Sequence, residues 1–403
     1  MTMPMTPVGA TARWIAAARA LETEHETPLF TDPYARALAS DEGFTLLAEM
    51  RRAAGPTAGS TGPDLYLSLR TRFLDDGLMN AVRDGKIKQV VLLAAGMDTR
   101  AFRLSWPAGV VVYELDRDDV FDVKEPVLAA LNAKPTCDRR VLRVDLAGDW
   151  VQRLLAEGFD TARPAAFLTE GLLMYLRPDA AESVVRGISS IAADDSWIGL
   201  DAVNKEMIDS PFTAPYMKKL AELGVPWHFA VSAPDIFFGR HGWRARVTMP
   251  GDPDANFGRW TFPVMPRSMP GIPRTYFVTA TKGGAALQLP LPVSIASAEH
   301  YAWGQGCDGW HLLKQDSLSV IQERMPAGTS EERHRHSRAR QFFYVLRGTL
   351  TLEMEGVTHS LTAGTGIEVP AGAGHTAANQ GPDEIEFLLV SQPPAHGDRE
   401  PAP

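Results

Sequence analysis

Up to about Lys282, apolar runs of strand length alternate with stretches of helical period. Gln89–Ala95, Val110–Leu115, Ala165–Thr169 and Trp197–Ala202 are too short for most helices, and the first is ended by Gly96. Continuous apolar runs of that length predict strands buried on both faces. Ala16–Leu21 and Pro33–Ala39 have amphipathic helical spacing, Asp64–Val82 predicts a longer helix, and Pro178–Ile191 begins with a proline just inside a helix start. Strands that alternate with helices predict a parallel sheet covered on both sides. Residues 205–245 break the alternation with Phe212, Tyr216, Trp227, His228, Phe237 and Phe238, and read as a cap over a pocket. Strands resume near Arg244–Val247 and Arg274–Ala280.

Two glycines and two prolines in Gly283–Pro292, with no charge, predict a joint, taken as 283–294. Beyond it the pattern changes. Ser319–Gln322, Phe342–Arg347, Thr349–Glu355, Thr358–Leu361 and Ile385–Val390 are short β-rich runs between turns. Leu350, Leu352 and Met354 alternate with Thr351, Glu353 and Glu355, the period of a half-buried strand. Many short strands within 295–392 predict a sandwich or barrel. The Pro-rich tail, 393–403, is expected to be flexible.

With 403 residues the chain is long enough for two or three domains. Its net charge of −9 gives no reason to expect nucleic acid as a partner. Cys137 and Cys307 are too few for a disulfide framework or a cysteine zinc site, which fits a reducing cytoplasm. No apolar stretch has signal-peptide or membrane-span length. A cytoplasmic protein with no membrane partner is expected.

The turn after the first predicted strand reads Ala94-Ala95-Gly96-Met97-Asp98 and is not G-x-G-x-x-G, which disfavours a dinucleotide. S-adenosylmethionine (SAM) has no phosphate. Its site needs a close backbone approach, which small residues at 94–96 allow, and an acid for the ribose diol, which Asp116 offers. It also needs a cation for the methionyl carboxylate, and Arg70 has a bidentate fork. An Asp98–Arg100 ion pair at the turn, by contrast, reads as structural.

Segments in order strengthen this reading: 28-PLFTDPYA-35, 70-RTRFLDD-76, 95-AGMDTRAFRL-104, 113-YELD-116 and 170-EGLLMYL-176. The succession, over roughly residues 10–282, resembles the leucine carboxyl methyltransferase family, including its bacterial polyketide O-methyltransferase branch. The resemblance implies a Rossmann-like α/β class I SAM methyltransferase fold over 1–282. It implies that Arg70 holds the SAM carboxylate and Asp116 the ribose. Asp145 and Leu146 would contact the adenine, and Glu170 the methionyl amino group. Ala94 departs from the family, which usually has glycine there. Tyr175 is a core aromatic or a substrate contact.

No histidine near the strand ends reads as a general base, which favours an acceptor that is already ionised: a carboxylate of a small molecule or peptide. An Arg or Tyr from 205–245 is expected to orient it. In the second half, Gly328-x5-His334-Arg335-His336-x4-Gln341-x6-Gly348 and Gly364-x5-Pro370-Ala371-Gly372-x2-His375-x3-Asn379 resemble the paired motifs of a cupin, an all-β double-stranded β-helix. His334 and His336 lie two apart on a strand and so share a face. With His375 they suit a divalent Zn, Fe, Ni, Cu or Mn. Gln341 stands where cupins usually have Glu, and would be a weaker, uncharged ligand. The resulting expectation is a SAM-dependent O-methyltransferase with a fused cupin. The alternatives for the cupin are a metal-dependent cyclisation, isomerisation or oxidation, or a module for substrate binding or homodimerisation.

Overall fold

The four apolar runs lie side by side as strands of one sheet. The computed structural model describes residues 7–55, 62–283, 293–395 and 397–402. They fall into two units, Met1–Leu289 and Pro290–Pro403. The joint expected at 283–294 lies, apart from its end residues, outside the described residues.

The first unit begins with helices α1 (Pro7–Thr23), α2 (Ala35–Ala54) and α3 (Leu65–Val82). Asp64 caps α3, accepting the Leu67 N–H at 3.0 Å. Then come β1 (Gln89–Leu93), α4 (Arg100–Arg103), β2 (Val111–Asp116), α5 (Asp118–Ala130) and β3 (Asp138–Arg143). Next are α6 (Trp150–Ala156), β4 (Ala165–Thr169), α7 (Pro178–Ile191) and β5 (Trp197–Val203). Three further helices, α8 (Lys205–Asp209), α9 (Ala214–Glu222) and α10 (Pro234–Gly239), occupy the segment read as a cap, before β6 (Trp243–Thr248) and β7 (Thr275–Lys282).

The strand order is β3-β2-β1-β4-β5-β7-β6. The first five strands are parallel and β7 is antiparallel to both its neighbours. Side-chain alternation explains the apolar runs. Val90 and Leu92 join a core with Trp14, Leu38, Leu74 and Leu78 from α1–α3. Val91 and Leu93 join the other core, with Leu154 of α6 and Val184 and Ile188 of α7. A strand buried on both faces is mostly apolar at consecutive positions.

β1 ends earlier than the apolar run does. Ala94 and Gly96 have φ of +52° and +49°, which turns the chain out of the sheet. That left-handed backbone is the physical reason a glycine suits position 94; alanine there carries strain of about 1–2 kcal/mol.

The second unit holds β8 (Glu299–Trp303), β9 (Cys307–Gln315), β10 (Leu318–Met325), β11 (His334–His336), β12 (Arg340–Arg347) and β13 (Thr349–Met354). It continues with β14 (Val357–Thr362), β15 (Gly366–Val369), β16 (His375–Ala378), β17 (Ile385–Gln392) and β18 (Arg399–Pro401). They form two antiparallel sheets, β15-β12-β17-β10-β9-β8 and β14-β13-β16-β11-β18. Phe343, Leu350, Leu352 and Phe387 are among the core residues between them, and Leu350 and Leu352 point inward as the alternation predicted.

The tail corrects an expectation. Arg399–Pro401 pairs with His334–His336. The Asp398 carboxylate accepts the Ser337 hydroxyl at 2.5 Å and the N–H groups of Arg338 and Ala339 at 2.9 and 2.8 Å. Unpaired backbone on β11 and a short acid that satisfies two N–H groups hold this part of the tail in the sheet. Among the described residues no helix is long and apolar enough to cross a membrane.

Phe167 is fully buried on β4 and packs against Phe159 at 6.0 Å. Phe167→Ala is expected to cost the first unit about 3–5 kcal/mol, measured as a lower midpoint in urea unfolding.

Candidate functional site

The sheet order reverses beside β1: the chain runs outward through β2 and β3, then returns to β4 on the other side. Open α/β sheets bind ligands in the crevice at that point, beyond the carboxyl ends of the strands. A cavity of about 770 Å³ opens there. Arg70, Gly96, Asp116 and Glu170 line it, as do Ala94, Asp145, Leu146 and Tyr175. Residues 76 positions apart, from Arg70 to Leu146, thus reach one wall system because every βα connection ends on the same edge.

Its polar wall is a network of buried charge. Arg70 projects from α3 and donates through Nε to Glu170 at 3.0 Å and through Nη1 to Asp201 at 2.9 Å. Asp201 also accepts the Gly171 N–H at 2.6 Å and the Tyr66 hydroxyl at 3.2 Å. Arg100 bridges Glu170 at 2.8 Å and Asp75 at 2.7 Å, and pairs with Asp98 as expected. Arg103 binds Asp75 at 2.6 Å, and Arg19 of α1 binds Asp32 at 2.8 Å. Thr99 donates to the same Asp32 at 2.6 Å.

For Arg70, Arg100, Arg103, Asp98 and Glu170 burial is the largest influence and opposes the charge. Asp201 and Glu170 nonetheless raise Arg70 above its ordinary value. Arg100 and Arg70 likewise hold Glu170 below the usual carboxylate range, and Asp98 is down to about 2 for the same kind of reason. Asp116 differs: burial pushes it up, while the N–H groups of Gly96 at 2.7 Å and Arg117 at 2.8 Å restrain it. Both its oxygens are therefore aimed by backbone and keep lone pairs for a diol.

The remaining wall is largely apolar and aromatic. Met207, Phe212, Tyr216 and Trp227 come from the expected cap, and Trp260 and Phe262 from the β6–β7 connection. Burial pushes the hydroxyls of Tyr66, Tyr175 and Tyr216 up, so all three stay protonated at pH 7. Among the described lining residues there is no histidine. His228 instead meets the Met174 carbonyl through its backbone N–H, and His241 pairs with Glu182 at 3.0 Å. Of the residue types expected from 205–245 to orient an acceptor, Tyr216 reaches the cavity; no arginine of that segment does.

Sequence reasoning missed Asp201, Arg19, Asp64 and Arg51, all of which line the cavity. Asp201 was hidden inside an apolar strand, and α1 and α2 carry no motif. The spacing of Gly96 held one clue, since a Cβ there would meet the Ala12 Cβ at 3.0 Å: glycine lets α1 close over the turn.

The sequence profile of the leucine carboxyl methyltransferase family matches residues 12–189, and that of the cupin domain residues 321–391. A protein of Mycobacterium sp. (strain KMS), named "Putative S-adenosyl-L-methionine-dependent methyltransferase", is 36% identical over 299 residues, which is 69% of this chain and 96% of its own length. This chain belongs to that methyltransferase family. Relatives of the same name from Mycobacterium avium (strain 104) and Mycobacterium marinum are 43% and 46% identical over 209 and 205 residues. Each match covers 48% of this chain and 66% of the relative, just under two thirds. Among solved structures, an RmlC-like cupin from Shewanella frigidimarina is 25% identical over 25% of this chain and 86% of its own, with a TM-score of 0.23. The polyketide cyclase RemF from Streptomyces resistomycificus is 19% identical over 28% and 83%, with a TM-score of 0.25.

The cupin unit gathers His334, His336 and His375, all buried, with one nitrogen of each within 4.8 Å of the others. Each Nδ1 faces a backbone carbonyl: Glu332 at 2.9 Å, Asp398 at 3.2 Å and Ala373 at 3.0 Å. An Nδ1–H that donates to a carbonyl leaves Nε2 as the lone-pair nitrogen, as a metal site requires. Burial keeps the imidazoles neutral, taking His334 down to about 3. Gln341 Oε1 lies 3.0 Å from His375 Nε2, so the fourth expected ligand faces the cluster. The donor set fits a borderline divalent metal.

The cupin unit also holds a buried acid that no motif announced. Glu323 on β10 accepts the Tyr301 hydroxyl at 2.7 Å, and its other oxygen has no partner among the described residues. Glu331 lies 3.5 Å from His334 Nδ1. Burial and then Glu331 push Glu323 up to about 8, against the Tyr301 hydrogen bond.

Two outcomes follow from this unit. His334→Ala is expected to weaken binding of Zn²⁺ by more than the 10–100-fold typical of losing an outer-shell partner, read by calorimetry. Glu323 binds its proton more tightly folded than unfolded. Its stabilising contribution is therefore complete below its ordinary value and is lost as pH rises through about 8. In metal-free protein, the urea midpoint of the cupin unit should fall between pH 6 and 9, and fall less in Glu323→Gln.

Proposed function

We propose that the first unit methylates a carboxylate of a small molecule or peptide, using SAM bound in the switch-point cavity. The observation that carries the reading is the convergence of Arg70, Asp116 and Glu170 on one cavity, beside a strained turn that brings backbone close. The network counts five acids (Asp32, Asp75, Asp98, Glu170, Asp201) against four guanidiniums (Arg19, Arg70, Arg100, Arg103). One excess negative charge suits SAM, whose sulfonium and ammonium outnumber its carboxylate. Arg70 is bound to acids through Nε and Nη1, and its Nη2 has no hydrogen bond among the described residues. That nitrogen is the one we assign to the methionyl carboxylate. Glu170, already flanked by Arg70 and Arg100, takes the ammonium, Asp116 the ribose diol, and Asp145 with Leu146 the adenine edge.

SAM supplies an activated methyl group, and in-line displacement then needs alignment and exclusion of water more than acid–base help. The residues around the acceptor space support an ionised acceptor. No imidazole lines it among the described residues, and the three tyrosines are held protonated. Asp64 is the acid there that no guanidinium binds directly; it is occupied as the cap of α3 and its pKa is raised by burial. A hydroxyl acceptor would have to rely on it as base.

For the cupin we infer a metal-dependent step of its own, such as cyclisation, isomerisation or oxidation. The convergence of three buried imidazoles, each with a nitrogen within 4.8 Å of the others, favours this over a purely structural barrel. A divalent ion held by these imidazoles would polarise a bound oxygen.

Incubation with methyl-labelled SAM and a panel of acids is expected to yield methyl esters and S-adenosylhomocysteine; label found only on alcohols would exclude the carboxylate reading. Asp116→Ala removes hydrogen bonds to a charged group, worth about 1.5–3 kcal/mol. Calorimetry should then show S-adenosylhomocysteine affinity lower by about 10–100-fold.

A further inference from the structure

The cap supplies no cation to the cavity, yet one of the cavity's arginines has no acid bound to it among the described residues. Arg51 stands in the last turn of α2, is 8% exposed, and lines the cavity. Its Nη2 donates to the Gly62 carbonyl at 2.6 Å, while its Nε is buried with no hydrogen-bond partner. Each other guanidinium on this wall has an acid beside it: Arg19 has Asp32, Arg70 has Glu170 and Asp201, and Arg117 has Asp119 at 3.6 Å. Arg51 forms no salt bridge among the described residues. Asp64 is in electrostatic range but forms no salt bridge with it, and its Oδ1 accepts the Leu67 N–H.

A cation in the last turn of a helix is favoured by the dipole, and Arg52 meets that preference while remaining exposed. The dipole thus explains a basic residue here without explaining why one of the two is buried. Burying a guanidinium without a carboxylate is unfavourable unless an anion arrives. Burial indeed draws Arg51 below its ordinary value, against the pull of Asp64.

We propose that Arg51 receives the carboxylate of the methyl acceptor, and that the acceptor is an apolar monocarboxylic acid. The proposal rests on the reading of the first unit as a carboxylate methyltransferase. A guanidinium with free N–H groups matches a carboxylate in geometry as well as charge. The same cavity is also lined by Leu47 and Met50 on the same helix as Arg51 and by Leu65 and Tyr66 at the start of α3. They offer an apolar body van der Waals contact and no further charge. Asp64 in the same wall disfavours a second carboxylate on the acceptor. The methyl ester that leaves has lost its charge and with it the attraction to Arg51, so product release is built into the same contact. Atoms balance simply: a carboxylate oxygen bonds the methyl carbon as the carbon–sulfur bond breaks, and the sulfonium leaves as a neutral thioether.

The test uses the full chain and methyl-labelled SAM, with octanoate, dodecanoate and phenylacetate beside the matching alcohols. Wild-type protein should methylate acids of this panel. Arg51→Gln should raise KM for those acids tenfold or more while S-adenosylhomocysteine affinity, read by calorimetry, stays within twofold. Arg51→Lys should recover part of the loss. An unchanged KM in Arg51→Gln overturns the assignment of Arg51 and leaves carboxylate methylation standing. Parallel loss of S-adenosylhomocysteine binding in Arg51→Gln and Arg51→Lys also overturns it, because Arg51 would then serve the cofactor or the fold. Methyl transfer by wild-type protein to the alcohols and to none of the acids ends both readings.

Discussion

Arg70 is held between the buried carboxylate of Asp201 and the largely buried one of Glu170, and the geometry of the first unit turns on that contact. Taking three charges out of water costs several kcal/mol each, and their mutual attraction repays this only with good hydrogen-bond geometry. Glu170 and Asp201 meet the condition from the ends of two adjacent strands, and the Gly171 N–H and Tyr66 hydroxyl complete the acceptance by Asp201. Removing one partner would leave an uncompensated charge in the interior, so the network also fixes where α3 sits against the sheet. Arg100 then ties Glu170 to Asp98 and Asp75, and so links the turn after β1 to the same helix. The rigidity of the cavity's charged wall and the placement of its helices are thus one fact.

The cupin unit reaches rigidity by a different route. Its functional groups are neutral, and backbone carbonyls orient them. Each imidazole has its Nδ1 against a main-chain oxygen supplied by a turn or by the returning tail, and the strands carrying His334 and His375 pair directly. The Asp398 carbonyl faces His336, so β18 belongs to the site's outer support as well as to the sheet. Neutral groups avoid the desolvation cost that the first unit meets with ion pairs, and they leave lone pairs available.

The elements most legible in the sequence were those in which one physical demand dominates. Strands β1, β2, β4 and β5 are buried on both faces and read as largely apolar runs. Helix α7 matches its expected span because Pro178 fits its first turn and Val184, Val185 and Ile188 repeat at helical spacing. β3 escaped notice because it lies at the sheet edge and reads Asp-Arg-Arg-Val-Leu-Arg, with a single fully buried residue. Short strands such as β11, β16 and β18 gain their stability from neighbours distant in sequence, which no local period records. The tail looked frayed for the same reason: its holding contacts are with Ser337, Arg338 and Ala339, some sixty residues earlier.

By itself the sequence determined the two fold classes, the turn at Gly96 and the residues whose types suit a sulfonium cofactor and a divalent metal. These are properties of residue type and local spacing. Only the tertiary structure decided which acids pair with which guanidiniums, because Arg70 and Asp201 are 131 residues apart and meet only where α3 crosses the sheet. It also decided that Arg51 of α2 lines the cavity without a salt bridge among the described residues, while no arginine of the cap reaches it. Charge balance is a sum over neighbours in space, and the chain reveals those neighbours only once it is folded.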